Sequence, residues 1–339
     1  MKSWSEWVVE NLNRNCDPEG IAQILLENQF SVQAIRGLMG SRCPDRLGDA
    51  PVPRAGAPAL GSQEALYRKR ESVVHMQRKL AGLNPKAVTI ARRSGVSREE
   101  FLERYYSANY PVVLCDLMKD WAAPTRWTAQ FLRETCGDQM VEIMAARESN
   151  PSYEIDDKPH RKHVRFAEFV DMVMQGKETN DYYLTARNDF FNLAAMKPLL
   201  QDFAPFPDYL KPDVSAGGVF FWFGPKGTIT PLHHDPMNIF MAQVEGRKHV
   251  KLVPASELDL VYNHFAVYSQ VDCENPDYET FPVFAEATVM DVELQAGEVL
   301  FLPAGWWHHV KALDRSMTIT FNNFVFPNEF QWVHPPGSR

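Results

Sequence analysis

The chain has 339 residues, of which 45% are hydrophobic and 12% aromatic, and its formal net charge is -8 at pH 7. This length is enough for one large domain or two, with a core that needs no disulfides. No apolar run approaches the roughly 18 residues of a membrane span, and the first residues lack the apolar stretch of a signal peptide. The acidic balance argues against a nucleic-acid partner. Five scattered cysteines without a CxxC pair favour a reduced, cytoplasmic protein.

Three short apolar segments predict a small helical module over residues 1–39. Asp17 followed by Pro18 is typical of a helix start, and Ser31 predicts the start of a further short helix. The module either packs on the rest of the chain or binds a partner. Residues 40–61 contain four prolines and four glycines without apolar periodicity, and this composition predicts a linker.

A separate segment, residues 62–87, is predicted to contain an amphipathic helix over 62–83. Leu66, Val73 and Leu80 recur every seven residues, which is typical of one apolar helix face. Most of the charged positions around that face are basic, namely Arg68, Lys69, Arg70, Arg78 and Lys79, against Glu64 and Glu71. The pattern leaves three interpretations open: a solvated face, docking of an acidic partner, or a homodimer through helix 62–83.

Residues 88–339 predict one large domain that is mainly β with flanking helices. Helices are expected from Ser97, from Thr128 to Gly137 and over 166–174, with strands at 111–115 and 140–144. After residue 217, short β-type runs follow one another with glycines between them, at 219–223, 229–233, 240–244, 249–253, 289–294, 299–302, 308–311 and 317–326. Many short strands separated by glycine turns predict a jelly roll, also called a double-stranded β-helix.

The motif that carries chemistry is the pair His233 and Asp235 in the sequence TPLHHD. Alternation along a strand puts positions 233 and 235 on one face. His308, in the sequence WWHH, offers a third ligand near the end of the strand series. Two histidines and one carboxylate on one side of a metal leave other positions open, which is the pattern of non-haem Fe(II) oxygenases. The HxD pair alone is a weak signal, because such a pair occurs by chance.

Four stretches together resemble the JmjC, or cupin-like, family of Fe(II)- and 2-oxoglutarate-dependent oxygenases. They are TPLHHD, AQVEGRKHVKLVP, GEVLFLPAGWWHHV and MTITFNNF, and weaker similarity extends upstream to about residue 88. Within the family, the chain is most similar to the small protein hydroxylases related to the asparaginyl hydroxylase of hypoxia-inducible factor. The resemblance implies a cupin core, with Fe(II) held by His233, Asp235 and His308.

The resemblance also implies which residues bind 2-oxoglutarate. Thr230, Lys248 and Tyr183 match the groups that contact its distal carboxylate, and Asn322 matches an amide near the proximal carboxylate. Elementary electrostatics agrees, since a buried dianion needs a cation and hydroxyl donors around it. One position departs from the family. Relatives often have asparagine four residues after the metal-binding aspartate, where this chain has Ile239.

The activity implied by the resemblance consumes O2 and 2-oxoglutarate and hydroxylates an unactivated C–H bond. A side chain of a protein or peptide is the expected substrate, and hydroxylation is favoured over demethylation because the likeness is to the compact hydroxylases. No membrane partner is expected. Two alternatives stay open: hydroxylation of a small metabolite, and a non-catalytic cupin that only binds. Phe220, Trp222, Trp306 and Trp307 are candidates for a dry wall around the site.

Overall fold

The computed structural model describes residues 3–14, 16–44, 63–83, 89–186, 190–212 and 218–330. The chain divides into two compact units, Met1–Val73 and Val74–Arg339, and the boundary falls inside a long helix. Within the described ranges, no helix combines the length and the apolar character needed to cross a membrane.

The first unit contains the three predicted short helices, α1 (Trp4–Asn13), α2 (Pro18–Glu27) and α3 (Val32–Met39). Side chains of Asp17 and Ser31 accept hydrogen bonds from backbone amides at the starts of α2 and α3, as the sequence predicted. The helices share a small apolar core, formed by Val8, Leu12, Ile21, Ala22, Leu25, Ile35 and Met39. Helix α4 (Gln63–Gly82) follows and contains the unit boundary.

The second unit is built mainly from β-strands, and four short α-helices lie between its first five strands. The helices are α5 (Arg98–Phe101), α6 (Ala123–Arg126), α7 (Ala129–Cys136) and α8 (Phe166–Met174). The strands are β1 (Ala91–Arg93), β2 (Val112–Leu114), β3 (Met140–Ala145), β4 (Arg161–Arg165), β5 (Tyr182–Tyr183), β6 (Val219–Gly224), β7 (Ile229–His234), β8 (Ile239–Glu245), β9 (Lys248–Val253), β10 (Asn263–Phe265), β11 (Tyr268–Ser269), β12 (Met290–Leu294), β13 (Val299–Leu302), β14 (Trp307–Ala312) and β15 (Ser316–Phe321).

Two six-stranded sheets form the body of this unit and confirm the predicted jelly-roll core. The larger sheet has the order β1-β2-β13-β8-β15-β6, and the smaller one has the order β10-β11-β7-β14-β9-β12. Every pair in the smaller sheet is antiparallel, and so is every pair in the larger one except β1 with β2. A third sheet, β4-β3-β5, adds three short strands.

Strand alternation gives the larger sheet two different faces. On β6, Phe221 and Phe223 join a large core that also contains residues of α5, α7 and α8. The intervening Phe220 and Trp222 instead line a cavity, to which strands of both six-stranded sheets contribute. Period-two alternation therefore separates the residues that stabilise the fold from those that can meet a ligand.

The last strand is shorter than the sequence predicted. A strand was expected over 317–326, but β15 ends at Phe321. The chain then leaves the ladder and its backbone finds other partners: the side-chain amide of Asn328 donates to the carbonyl of Asn322, and the backbone N–H of Lys211 donates to the carbonyl of Asn323. Several very short strands, such as β5 and β11, were not predicted, since two residues carry no readable period.

Gly246 makes the turn between β8 and β9 and gives a first testable prediction. Its φ is +72°, and a β-carbon there would overlap the carbonyl oxygen of Arg315. We expect Gly246→Ala to lower the free energy of unfolding by about 2–4 kcal/mol, from left-handed strain plus overpacking. The matched control is Gly297→Ala, with φ +91° but no described atom within 4 Å of the new β-carbon. Urea denaturation should show a clearly smaller loss for the control, and equal losses would contradict the overlap.

Candidate metal centre

Three side chains predicted as metal ligands converge in the second unit. His233 and His308 lie directly opposite each other on the paired strands β7 and β14, and Asp235 follows β7 by one residue. One ligand atom from each residue lies within 4.8 Å of the other two, and the carboxylate of Asp235 is 3.5 Å from Nε2 of His308. Among the described residues, this is the one cluster of three or more His, Cys, Asp or Glu that meets this distance.

Backbone carbonyls orient both histidine rings. Nδ1 of His233 is 2.8 Å from the carbonyl oxygen of Pro231, and Nδ1 of His308 is 3.0 Å from that of Trp306. A carbonyl only accepts hydrogen bonds, so each Nδ1 carries the hydrogen and each Nε2 keeps its lone pair. Burial also lowers the pKa of His308 well below its usual range, which keeps this ring neutral.

The donor set suits a divalent iron ion. Burial raises the pKa of the Asp235 carboxyl, and the neighbouring His233 opposes part of that rise. A cation between the three side chains would offset the cost of a buried carboxylate, and neutral imidazole nitrogens with one carboxylate oxygen are ligands that Fe(II) accepts. The three residues therefore fit the metal that the sequence predicted.

The cluster opens onto a cavity of about 360 Å³. Lys248, on β9, extends into it and is almost fully buried, and its Nζ donates to the hydroxyl of Tyr183 at 3.1 Å. Burial lowers the pKa of Lys248 to about 7 and raises that of Tyr183. A buried ammonium beside a hydroxyl is a suitable site for a carboxylate group of a ligand.

All four residues predicted to bind 2-oxoglutarate line this same cavity. Thr230 lies on β7 three residues before His233, and a register shift between the pairs Thr230–Val310 and His233–His308 brings both to the cavity. Asn322 lies just after β15. The amide of Asn322 contacts the sulfur of Met237 at 3.1 Å. Because these groups come from separate strands, the fold rather than the local sequence brings them together.

An apolar wall completes the cavity, but two of the predicted wall residues are elsewhere. Phe220 and Trp222 line the cavity, whereas Trp306 and Trp307 do not. The Trp306 indole donates to the backbone of Asn109, and Trp307 packs in a separate core with Leu232, Val253, Val261, Val271, Cys273 and Phe284. Alternation explains Trp307, since a residue next to His308 on β14 faces the opposite side of the sheet. Trp306 precedes β14 and packs against Tyr110 instead.

The departure at position 239 changes the chemistry of the cavity wall. Ile239 lines the cavity and presents an apolar side chain there. The neighbouring Asn238 points elsewhere and accepts a hydrogen bond from the amide of Ala304 at 2.8 Å. Neither Ile239 nor Asn238 therefore provides a side-chain amide to the cavity.

Two charged residues near the cavity were not predicted from the sequence. Arg147 is fully buried, and it donates to the carboxylate of Glu154, to Asn180 and to the carbonyl of Ile229. Its guanidinium also lies 5.4 Å from the ring centre of Tyr183. Glu154 lines the cavity while one of its oxygens accepts from Arg147. Arg147 thus connects the segments that carry Tyr183 and Thr230.

The histidines next to the cluster lie on the opposite face of the smaller sheet. The ring of His234 packs against Trp307 at 4.7 Å, and Nδ1 of His309 is 3.8 Å from the carboxylate of Glu274. Burial lowers the pKa of each histidine to about 4. Neither lines the cavity, which agrees with the expectation that they are not ligands.

Comparison with known proteins assigns the family. The model of the cupin-like domain matches residues 97–331, which include every cavity residue named above. The chain belongs to the cupin-like, JmjC family of oxygenases. Enzymes of this family use Fe(II), 2-oxoglutarate and O2, as the sequence resemblance implied.

Three relatives illustrate the range of this family. The chain is 34% identical to the lysine-specific demethylase JMJ30 of Arabidopsis thaliana, over 68% of the chain and 54% of that protein. It is 28% identical to lysine-specific demethylase 8 of Danio rerio, over 93% and 74%. It is also 28% identical to tRNA wybutosine-synthesizing protein 5 of Gallus gallus, over 74% and 79%. The chain spans about half the length of the first curated relatives it matches.

Proposed function

We propose that this protein is an Fe(II)- and 2-oxoglutarate-dependent oxygenase that hydroxylates a C–H bond in a side chain of a protein or peptide. The observation that carries the proposal is the meeting of His233, Asp235 and His308 with the buried Lys248 in one cavity. Metal ligands alone would also suit a binding protein. A buried ammonium at the same cavity adds a site for an anionic co-substrate.

Each polar group of the cavity has a role in this proposal. His233, Asp235 and His308 hold the iron, which supplies the oxidation of a C–H bond by O2 while 2-oxoglutarate is converted to succinate and CO2. Lys248 and Tyr183 bind the distal carboxylate of 2-oxoglutarate, and the hydroxyl of Thr230 adds a donor. Asn322 lies near the proximal carboxylate.

The apolar residues that line the cavity exclude water from the bound co-substrate. Ile239, Met241 and Leu302 line the cavity with hydrocarbon, so the bound anion depends on a few donors rather than on solvent. Exclusion of water strengthens those polar contacts and limits side reactions of the oxidant. This distribution of a few polar groups in an apolar wall is typical of small-ligand sites.

A second candidate reaction is demethylation of an N-methyl-lysine, and it is favoured by Glu154. One oxygen of its carboxylate is held by Arg147, and the residue lines the cavity that contains the cluster. A carboxylate there suits a cationic side chain. Two relatives are named lysine-specific demethylases, and hydroxylation of an N-methyl group yields an unstable hemiaminal that releases formaldehyde.

Product analysis separates the candidates. The purified protein is supplied with Fe(II), ascorbate and 2-oxoglutarate, and with peptides from cells that express only its Asp235→Ala variant, so that sites are unmodified. We expect succinate to form together with peptides that gain the mass of one oxygen. Loss of one CH2 unit with formaldehyde would identify demethylation instead. The same products from tRNA, and none from peptides, would contradict a protein substrate. If no succinate forms with any of these pools, the proposal is contradicted.

A further inference from the structure

Helix α4 carries an exposed apolar stripe that the proposed function does not use. The stripe, here called the α4 seam, consists of Leu66, Val73, Met76 and Leu80 on the helix and of Leu83, which directly follows its last residue, Gly82. These five side chains are between 39% and 78% exposed. Their spacing of three and four residues places them at the two core positions of a heptad repeat, a and d, and Lys69 occupies the remaining d position. Such a seam is the signature of helix pairing.

The face of α4 opposite the seam makes an ion pair within the second unit. Arg78 donates to the carboxylate of Asp259 at 2.8 Å. Arg78 occupies heptad position f, and Val74 occupies position b; both lie away from the seam and both are partly buried. Within the second unit, Met76 and Leu80 of the seam are therefore on the side of the helix away from this contact.

The α4 seam is complementary to itself when two helices run antiparallel. With the two-fold axis between residues 74 and 75, Leu66 faces Leu83 of the second copy, and Val73 faces Met76 of the second copy. Lys69 faces Leu80 of the second copy, so its ammonium can reach solvent past an apolar neighbour. Every a position then meets a d position, as a closed two-fold interface requires.

The flanking charges favour this direction over the parallel one. In the antiparallel pair, Arg70 lies beside Gln77 of the second copy, and Ser72 lies beside Lys79. Neither is a like-charge pair. A parallel pair would instead place Lys69 opposite Lys69 in the core, which is costly.

We propose that two copies of this chain associate through their α4 seams as an antiparallel two-helix coiled coil. The helix has 20 residues, so the pair buries about three heptads. Coiled coils this short are marginal, and the dimer is expected to dissociate on the order of micromolar concentrations.

Sedimentation equilibrium of the full chain over a range of concentrations tests association. The wild type should shift from monomer to dimer as concentration rises. Leu80→Lys places a second lysine beside Lys69 of the other copy, and it should raise the dissociation constant by at least about tenfold. Glu71→Gln makes the same change in charge at position f, away from the seam, and should leave the constant unchanged.

Two further variants test the direction of pairing. Gln77→Glu would place a carboxylate beside Arg70 of the second copy twice per dimer. It should lower the dissociation constant roughly two- to fivefold. In a variant with Cys16, Cys43 and Cys115 changed to serine, Val73→Cys with Met76→Cys should cross-link two chains under mild oxidation. Val73→Cys alone should not, because only a parallel pair brings the two residues 73 together.

Three outcomes would overturn the proposal. The first is a monomer at every concentration. Slow hydrogen exchange in α4 of that monomer would show that the module over residues 1–39 covers the seam instead of a second copy. The second is a dimer that survives Leu80→Lys unchanged. The third is cross-linking by Val73→Cys alone.

Discussion

Replacing His308 with alanine is expected to lower the affinity for Fe(II) by more than about 100-fold and to stop 2-oxoglutarate turnover. Loss of an outer hydrogen-bond partner of a metal ligand already costs roughly 10- to 100-fold, and this change removes a ligand itself. It also removes the imidazole whose Nε2 lies 3.5 Å from the carboxylate of Asp235. Anaerobic equilibrium dialysis measures the bound iron, and succinate formation measures the turnover.

The adjacent histidine provides the matched control for that experiment. His309 lies on the same strand but faces the other side of the sheet, near Glu274. His309→Gln should therefore keep the bound iron and the turnover of the wild type. Stoichiometric iron in His308→Ala, or equal losses in both variants, would contradict the assignment of His308 as a ligand.

The second large effect is expected for Lys248→Met, which removes the one buried ammonium found at the cavity among the described residues. A hydrogen bond to a charged group contributes about 1.5–3 kcal/mol, so the dissociation constant for 2-oxoglutarate should rise roughly 10- to 150-fold. Iron binding should not change, because Lys248 does not belong to the metal cluster. Calorimetric titration of the anaerobic protein, first with Mn(II) in place of iron and then with 2-oxoglutarate, measures both.

The same lysine predicts how 2-oxoglutarate binding depends on pH. Burial lowers the pKa of Lys248 to about 7, so the free protein loses this charge above pH 7. Binding of the dianion then requires uptake of a proton. The dissociation constant should be flat below about pH 7 and rise by up to about tenfold per pH unit above it. Lys248→Met should show no such rise, and equal slopes in the two proteins would contradict the role of Lys248.

Local chemistry explains what could be predicted from the sequence. The pair His233 and Asp235 could be predicted because strand alternation puts residues two apart on one face. His308 could be predicted because it is a further candidate ligand near the end of the strand series. Jelly-roll strands are visible because glycine turns separate short β-type runs. In contrast, the sites of Thr230, Tyr183, Lys248 and Asn322 were assigned by family resemblance, and their meeting in one cavity depends on the tertiary fold.

Tertiary contacts explain what could not be predicted. Arg147 and Glu154 lie in an irregular segment without any period, and their pairing beside Tyr183 appears only when that segment folds onto β7. The placement of Trp307 in the cavity wall was wrong for a different reason. Alternation around His308 already excludes it, so applying the strand period to the ligand's neighbours would have removed that candidate.

A crystal structure of the protein grown anaerobically with Mn(II) and 2-oxoglutarate tests the site most directly. The metal should be bound by His233, Asp235 and His308, with the distal carboxylate of 2-oxoglutarate within hydrogen-bond distance of Nζ of Lys248. A metal bound elsewhere, or a co-substrate whose carboxylates both lie away from Lys248, would contradict the proposed oxygenase site.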